Sequence, residues 1–365
     1  MKKITYVLIL WSLCVFQCTK PAVEVLKLNG NKTLICNIDR LKDTVRMPLS
    51  KFVDTCVIIK LDDSTPEAFV KNIAAVDISE NFIGIRSRGI PNLPYKLFTR
   101  EGKFLRNIGM IGKGPNEYLV LSSSQIDEKS NKIFLTPSPF TEKIFVFDLQ
   151  GNYFPQVELR FKMRKCKVFI NNDTLTGFSL PFEGDTAVVL RQTLDGNFVN
   201  FISPDPSMIT RGYNEEVFSF HNTPAYEFFL TTSKVLMHYD SHTNALIPKF
   251  SIISEKYKKD LNIFVCYEWP NHYYGWISKK GYFIVNKQTL KANYVKLYND
   301  FCADIDANFN GTKGYFVNWR SGLEIKNNIE KNNSKINYDM TGEITLNTGQ
   351  KIAEDDFLLF IGKLK

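Results

Sequence analysis

Short apolar runs alternate with polar turns along most of this chain, and each run has the length of a β-strand. In residues 95–109 one apolar run leads into a polar turn that ends in Gly102, and a second run follows. Related phrases surround Gly151 and Gly196, so the three turn glycines are 49 and 45 residues apart. A strand-rich repeat of this length predicts a β-propeller built from four-stranded blades.

The predicted strands are apolar on both faces, as the segment Lys-Ile-Phe-Val-Phe at 143–147 illustrates. A strand with one solvent-exposed face alternates strictly between apolar and polar residues. Propeller blades pack face to face with a neighbour on each side, so both faces of each strand are buried. The pattern therefore favours a propeller, and a solenoid or an open sandwich is the competing interpretation.

The all-β pattern is best divided into six blades of four antiparallel strands, named a to d along each blade. The predicted blades span 72–108, 122–159, 165–203, 217–253, 261–298 and the residues from 301 onward. A polar stretch in the last blade, 326–338, is predicted to be a loop. An N-terminal strand at 53–61 is expected to pair with the final strand, 357–363, because such closure removes two free sheet edges.

The N-terminus has the pattern of an export signal. Lys2 and Lys3 precede a mostly apolar segment, 4–16, that is too short to span a bilayer stably. Cys18 follows directly, in the place of the lipid-accepting residue of a bacterial lipoprotein. The residues indicate a signal peptide at 1–17 and lipidation at Cys18, and a plain secretory peptide is the alternative.

The remaining domain organisation follows from these assignments. Residues 18–48 are predicted to be an irregular, lipid-anchored tether and entry segment, and residues 49–365 the six-bladed propeller. Lipid on Cys18 would anchor the domain without a spanning helix, so this lipid is the only membrane contact that we expect.

Composition narrows the function classes. Apolar residues make up 44% of the chain and aromatic residues 13%, which is ample for a core. The net charge is +8, but the basic residues are interspersed, so the clustered phosphate-binding face of a nucleic-acid-binding protein is not expected. Five cysteines follow Cys18, an odd number without a C-x-x-C pair. Buried free thiols are therefore expected rather than a cysteine-based zinc or redox site.

Two segments carry a resemblance to a known family. Residues 102–109 read Gly-Lys-Phe-Leu-Arg-Asn-Ile-Gly, and residues 112–118 read Gly-Lys-Gly-Pro-Asn-Glu-Tyr. This pair of motifs resembles the NHL-like six-bladed β-propeller lipoproteins of gut Gram-negative bacteria. The resemblance implies an exported, lipid-anchored outer-membrane protein of the cell envelope, with no assigned biochemical role and no catalytic residue to carry over.

The loop at 108–121 is the first candidate binding segment. It joins strand d of one blade to strand a of the next, and such loops share the top face of a propeller with the b–c loops. Lys113, Glu117 and Tyr118 are the candidate ligand-facing residues of this loop. The alternative is structural: Glu117 caps loop amides and Tyr118 packs between blades.

The b–c loops supply the other candidates. Arg86 and Arg88 lie in a turn-rich segment, and Phe140 and Phe182 occupy comparable positions in the next two blades. Aromatic rings beside polar groups suit sugars or peptides. The alternative for these residues is packing within the loops.

Metal and catalytic signatures are weak. His238 and His242 are four residues apart, but they straddle a predicted strand end and turn instead of sharing a helix face. No Gly-x-Ser-x-Gly elbow occurs. We therefore predict no catalytic residue, no metal ligand and no cofactor, while a Ca²⁺ ion in the channel stays open.

The sequence favours an extracytoplasmic binding or scaffolding propeller over an enzyme. Its top face is expected to recognise a glycan, a peptide or an envelope protein, and the protein is expected to be a monomer. Two alternatives stay open: a metal-dependent lactonase- or lyase-like propeller enzyme, and a structural subunit of an envelope complex.

Overall fold

Strand pairing in the computed structural model follows one repeating scheme around a ring. The structure describes residues 20–28, 30–256, 263–331, 344–345 and 351–365. The fold is a six-bladed β-propeller. Strand a of each blade faces the central channel, and strand d lies at the outside.

In the described part of the chain, four strands precede the first blade, and they lie around the ring. They are β1 (Val23–Leu28), β2 (Asn31–Asn37), β3 (Thr44–Pro48) and β4 (Val57–Lys60). Strands β1 and β2 form a hairpin. Two short 3-10 helices, Ile38–Arg40 and Leu49–Lys51, flank β3. The prediction that residues 18–48 are irregular was wrong for the part that the structure describes.

The first three blades are four-stranded antiparallel sheets with sequential order. A two-residue parallel pair, β9 and β10, lies between the first two blades. The strands of this region are β5 (Ile73–Ile78), β6 (Phe82–Ser87), β7 (Tyr95–Thr99), β8 (Phe104–Ile108), β9 (Met110–Ile111), β10 (Glu117–Tyr118), β11 (Leu121–Asp127), β12 (Lys132–Pro137), β13 (Phe140–Phe147), β14 (Tyr153–Arg164), β15 (Lys167–Asn171), β16 (Thr174–Phe178), β17 (Val189–Thr193) and β18 (Phe198–Ile202). These blades lie where the sequence predicts them.

Blades four and five are also sequential, and blade six departs from the four-stranded scheme. After a third 3-10 helix, Pro206–Met208, come β19 (Val217–Phe218), β20 (Tyr226–Leu230), β21 (Val235–Asp240), β22 (Ala245–Ile253), β23 (Ile263–Glu268), β24 (His272–Ile277), β25 (Gly281–Asn286), β26 (Ala292–Asn299), β27 (Ile305–Asp306), β28 (Tyr315–Ser321), α1 (Gly322–Lys331), β29 (Ile344–Thr345), β30 (Lys351–Ile352) and β31 (Phe357–Lys363). Within the described residues, the main sheet of blade six has the order β28–β31–β4.

The ring closes as the sequence predicts. Strand β4 pairs antiparallel with β31, with Val57 opposite Ile361 and Lys60 opposite Leu358. The N-terminal hairpin extends the ring outward, because β2 runs parallel to β22 in blade four. Strand β3 likewise runs parallel to β26 in blade five. The entry segment therefore covers two sheet edges that would otherwise face solvent.

The core is divided into six apolar clusters, one at each interface between successive blades. Neighbouring residues of one strand contribute to different interfaces. Leu97 packs between blades one and two, whereas Phe98 packs between blades six and one. Phe228 and Phe229 divide in the same way on the two faces of blade four. This arrangement explains why the strands are apolar on both faces.

Helix α1 corrects the predicted loop at 326–338. The backbone N–H of Glu324 donates to Ser321 Oγ over 3.2 Å, and the N–H of Ser321 donates back to Glu324 Oε2 over 2.8 Å. This reciprocal capping box satisfies two donors at the helix start. The prediction was wrong for 326–331, and residues 332–338 lie outside the described part of the chain.

The five cysteines after Cys18 are free thiols, and all except half-buried Cys56 are buried. Burial raises the pKa of Cys36 and of Cys166 to about 12, so both thiols stay protonated at neutral pH. In the described residues, no helix is long and apolar enough to cross a membrane. The predicted signal peptide, 1–17, and the lipidation site at Cys18 lie outside the described residues.

Candidate functional site

A cavity of about 440 Å³ lies at the top of the central channel. The channel-facing strands β5, β11, β15 and β19 contribute to its wall, and Tyr267 of blade five and residues 310–312 of blade six complete it. Arg86, Arg88 and the b–c loop residues Ser138 and Pro139 line its rim. Because residues from all six blades meet here, this cavity is the candidate functional site.

The charged lining is predominantly cationic. Four basic side chains, Arg86, Arg88, Lys165 and Lys167, and two carboxylates, Asp77 and Glu216, line the cavity. Lys165 is paired with Glu216, since its Nζ lies 2.7 Å from Glu216 Oε1. The same Nζ also donates to two backbone carbonyls of the segment before β19.

Arg86 and Lys167 approach β11 from the two neighbouring blades. Arg86 Nη1 donates to the carbonyl of Leu121 over 2.9 Å, and Lys167 Nζ donates to the carbonyl of Ser122 over 2.6 Å. Burial lowers the pKa of Arg86, and burial with repulsion from Arg86 lowers the pKa of Lys167 to about 7. The two cations are therefore close enough to interact.

Asp77 is held by hydroxyl groups. Its Oδ2 accepts a hydrogen bond from the Tyr95 hydroxyl over 2.8 Å and another from Ser124 Oγ. Burial and the neighbouring carboxylate raise the pKa of Tyr95 well above its usual value, so its hydroxyl remains a donor. Asp77 is thus an oriented acceptor at the wall of the cavity.

Aromatic rings form the wall contributed by blades four and five. The ring centroids of Phe220 and Tyr267 are 4.1 Å apart, and those of Phe218 and Phe220 are 5.9 Å apart with nearly parallel planes. All three residues line the cavity. One side of the cavity is therefore cationic and another is aromatic.

The d–a loop places its three candidates in different settings. Lys113 is exposed. Glu117 Oε2 accepts the N–H of Gly114 over 2.8 Å, so its carboxylate caps the loop. Tyr118 is buried, donates to the carbonyl of Ile108 and accepts the N–H of Tyr95, both over 2.7 Å. These contacts correspond to the structural alternative for Glu117 and Tyr118.

Phe140 and Phe182 come together around one arginine. The Arg164 guanidinium carbon lies 5.2 Å from the Phe140 ring centroid and 4.8 Å from that of Phe182. Asp185 pairs with the same guanidinium, and Tyr213 packs on Phe182 with centroids 5.1 Å apart. A second, more open cavity of about 550 Å³ adjoins Phe182. The structure thus places both rings at this second cavity or beside it, and only Arg86 and Arg88 of the candidates line the first.

Sequence reasoning missed the channel-facing side chains, notably Asp77, Lys165, Lys167 and the serines at 122–124. A signal for them exists, because each lies in or next to a strand a, and in β5 and β15 the other residues are largely apolar. Polar residues in a strand that faces a channel are expected to contact whatever fills it.

Within the described structure, His238 contacts a buried carboxylate, whereas His242 does not. His238 Nε2 lies 2.5 Å from Glu268 Oε2, and Lys287 Nζ lies 2.6 Å from the other oxygen of the same carboxylate. His242 lies in the following turn, where its backbone N–H donates to Asp240. Across the described ranges, no three His, Cys, Asp or Glu side chains are placed to hold a metal ion.

Comparisons with known proteins support this architecture. A family model described as a 6-bladed beta-propeller, DUF5128, matches residues 27–182. These residues span the N-terminal strands, blades one and two, and the first half of blade three. No curated protein matches the chain.

One solved structure has a similar fold at low sequence identity. A putative exported protein from Bacteroides fragilis aligns with a TM-score of 0.58 and 15% identity over 88% of this chain and 100% of its own. A member of the DUF4221 family from Bacteroides vulgatus aligns with a TM-score of 0.46 and 12% identity, over 86% of this chain and 97% of its own. The extracellular domain of a putative one-component system from B. thetaiotaomicron aligns with a TM-score of 0.42 and 10% identity, over 63% of this chain and 32% of its own.

Proposed function

We propose that this protein is an exported, lipid-anchored binding propeller that holds a ligand in the cavity at the top of its channel. The observation that carries the proposal is the cavity itself, because its 440 Å³ lie within the range of small-molecule sites. The N-terminal signal pattern and the similarity to a putative exported protein from Bacteroides fragilis support export. Cys18 is the proposed site of the lipid.

The size and walls of the cavity favour a small molecule or the end group of a larger one, such as the terminal unit of a glycan or a peptide. Loops at the rim come from several blades, so a longer ligand would continue over the top face. We propose that the scaffold stays rigid, because six apolar interfaces hold the blades that carry these loops.

A cavity-filling substitution tests the proposal. Ala74 is exposed and lines the cavity, so Ala74→Trp would fill the mouth without opening the core. Lys129→Trp is the matched control, because Lys129 lies exposed in the a–b turn of blade two, on the opposite face.

The measurement is a thermal-shift screen of the chain from residue 20 against glycans and peptides, followed by calorimetry on each hit. We expect Ala74→Trp to abolish the ligand-dependent rise in melting temperature and Lys129→Trp to preserve it. Equal affinity in both variants would contradict binding in this cavity.

The metal-dependent enzyme remains the alternative proposal, and a chelator titration tests it. A fall in melting temperature with EDTA that one of Ca²⁺ or Zn²⁺ restores would favour a lactonase- or lyase-like site. An unchanged melting temperature would favour the binding module.

A further inference from the structure

Two cations from different blades meet at one strand of the cavity wall. Arg86 and Lys167 donate to the carbonyls of the adjacent residues Leu121 and Ser122. Among the described residues, the buried Nε of Arg86 has no hydrogen-bond partner. Burying a donor without an acceptor costs free energy, so this N–H group is suited to donate to an acceptor atom on a ligand.

The nearby carboxylates accept hydrogen bonds or pair with other groups, and Asp77 and Glu216 favour the charged forms of Arg86 and Lys167 only from a distance. Asp77 Oδ2 accepts from Tyr95 and Ser124, and Glu216 pairs with Lys165. Within the described ranges, no carboxylate lies within 4.0 Å of the cationic nitrogens of Arg86 or Lys167. Two neighbouring cations without paired carboxylates favour an anion between them, because it would offset both their repulsion and their desolvation.

The aromatic wall restricts the remainder of the ligand. Phe218, Phe220 and Tyr267 form a row on the side contributed by blades four and five, with the nearest centroids 4.1 Å apart. Rings at a cavity wall favour the apolar face of a flat molecule. A ligand that satisfies both walls therefore combines one acidic group with a ring-sized body.

We infer that the cavity binds a ring-sized organic anion, with Arg86 and Lys167 holding its carboxylate and Phe220 and Tyr267 contacting its ring. The inference rests on the proposed function and names the ligand chemistry of the same cavity. A sugar acid and an aromatic acid share this chemistry, and the experiment separates them.

Ionisation of Lys167 gives the inference a second readout. Repulsion from Arg86 and Lys165 disfavours the charged ammonium form of Lys167, and attraction to Glu216 favours it. The Cys166 thiol also lies beside it. With a pKa of about 7, Lys167 is largely neutral at pH 8.5 in the free protein. A bound carboxylate requires Lys167 in its charged ammonium form. Above pH 7, binding is therefore accompanied by uptake of a proton, and the affinity for the acid falls by up to tenfold per pH unit.

The experiment is isothermal titration calorimetry on the chain from residue 20, with D-glucuronate, benzoate and their neutral amides as probes. Each acid is titrated at pH 6.5, 7.5 and 8.5 in two buffers of different ionisation enthalpy, which gives the proton uptake directly. We expect one acid to bind at least tenfold more tightly than its amide, with affinity falling above pH 7. The preferred acid identifies the source, a sugar acid or an aromatic acid.

Lys167→Met and Arg88→Gln test the residues. We expect Lys167→Met to weaken acid binding at least tenfold at pH 6.5 and to remove the proton uptake. Arg88→Gln changes only an exposed rim cation and is expected to weaken binding about twofold to fivefold. Lys129→Met, on the opposite face, is the control and should bind as the unmodified protein does. If Lys167→Met fails to fold, the pH series and Arg88→Gln still decide the question.

The outcomes separate the two proposals. Equal binding of acid and amide, blocked by Ala74→Trp, would overturn the anion while leaving the cavity as the binding site. If neither acid binds, but a glycan or peptide binds and Ala74→Trp blocks that binding, the anion is also overturned and the cavity remains the binding site. Hits that Ala74→Trp leaves unchanged would overturn the proposed function itself.

Discussion

His221 and Glu227 face each other in blade four as two uncharged groups, with His221 Nδ1 3.7 Å from Glu227 Oε2. Burial lowers the pKa of His221 to about 3 and raises the pKa of Glu227 to about 8. At neutral pH the imidazole is therefore neutral and the carboxyl is largely protonated. The contact has the geometry of a salt bridge, but desolvation prevents both charges from forming.

Glu227 should make the free energy of unfolding depend on pH. Its folded pKa lies above the usual glutamate value of 4.5, so between pH 4.5 and about 8 the folded state binds more protons than the unfolded state. The contribution of this group is complete below pH 4.5 and is lost as pH rises through 8. We expect Glu227→Gln to remove that decline, measured as melting temperature from pH 5 to pH 8.

Glu80→Gln is the control for this effect, because Glu80 is exposed in the a–b turn of blade one. Its pH profile should parallel that of the unmodified protein. An unchanged profile for Glu227→Gln would show that the carboxyl ionises normally in the fold.

Tyr118→Phe should destabilise the junction of blades one and two. The substitution removes the hydroxyl oxygen that accepts the Tyr95 N–H, and it removes the hydroxyl donor to the carbonyl of Ile108. Leaving a buried donor without a partner costs about 1–3 kcal/mol. Urea unfolding followed by tryptophan fluorescence would measure the loss.

Tyr213→Phe supplies the comparison, since Tyr213 is exposed. We expect it to change stability by less than about 0.5 kcal/mol. Similar losses for both tyrosines would contradict a structural role for the Tyr118 hydroxyl.

Gly102→Ala should be more damaging than Gly196→Ala, although both residues occupy c–d turns with φ near +90°. A Cβ at Gly102 would lie 2.2 Å from the carbonyl oxygen of Lys60, in the closing strand β4. At Gly196 nothing lies within 4 Å, so only the backbone conformation opposes the side chain. We expect a loss of roughly 1–2 kcal/mol at Gly196, and a greater loss at Gly102.

The free energies of unfolding of these two variants test the position of β4. If the two losses were equal, the close approach of Gly102 to the closing strand would be contradicted. The pair is well matched, because the residue change and the turn position are the same.

Removing residues 20–48 should lower the melting temperature of the propeller. Val23, Cys36, Ile38 and Leu41 are buried in the cluster between blades four and five. Each fully buried apolar side chain contributes about 1.5–3 kcal/mol, and the deletion also exposes the edges of β22 and β26. Thermal unfolding of residues 49–365 beside residues 20–365 measures the effect.

Leu26→Asp in the longer chain is the control, because Leu26 is half-exposed on the outer strand β1. It should leave the melting temperature within a few degrees of the original. Equal melting temperatures for the two chain lengths would show that the entry segment adds nothing to stability.

Much of the ring could be predicted because its signals are local and repeat. The Gly102, Gly151 and Gly196 turns each lie between strands c and d, and their spacing reports the length of one blade. Strands that are apolar on both faces have to be covered on both sides, and blade stacking does this. The closing pair was predictable for a related reason, since a ring with unpaired first and last strands would leave two free edges.

The errors lie where local signals were weak or overlooked. Strands β1 and β2 lack a clean apolar–polar alternation, because Val25, Leu26 and Leu28 are exposed while Thr33 is buried, so their sequence does not separate an outer edge strand from a loop. Helix α1 did carry a signal, Ser321 three residues before Glu324, but the surrounding Asn and Lys residues favoured a loop. The residue propensities there favoured a loop and the capping signal favoured a helix, and the structure contains the helix.

The chain carries the blade repeat and the two-faced strands in its local pattern, because each of them depends on neighbouring residues. The cavity is different. Arg86, Lys167 and Tyr267 are far apart in the sequence, and only the closed ring brings them to one cavity. In the closed ring, burial lowers the pKa of Lys167, and Tyr267 packs on Phe220 in the aromatic row. Desolvation and proximity are properties of the assembled channel, so the tertiary structure decided the chemistry of the site.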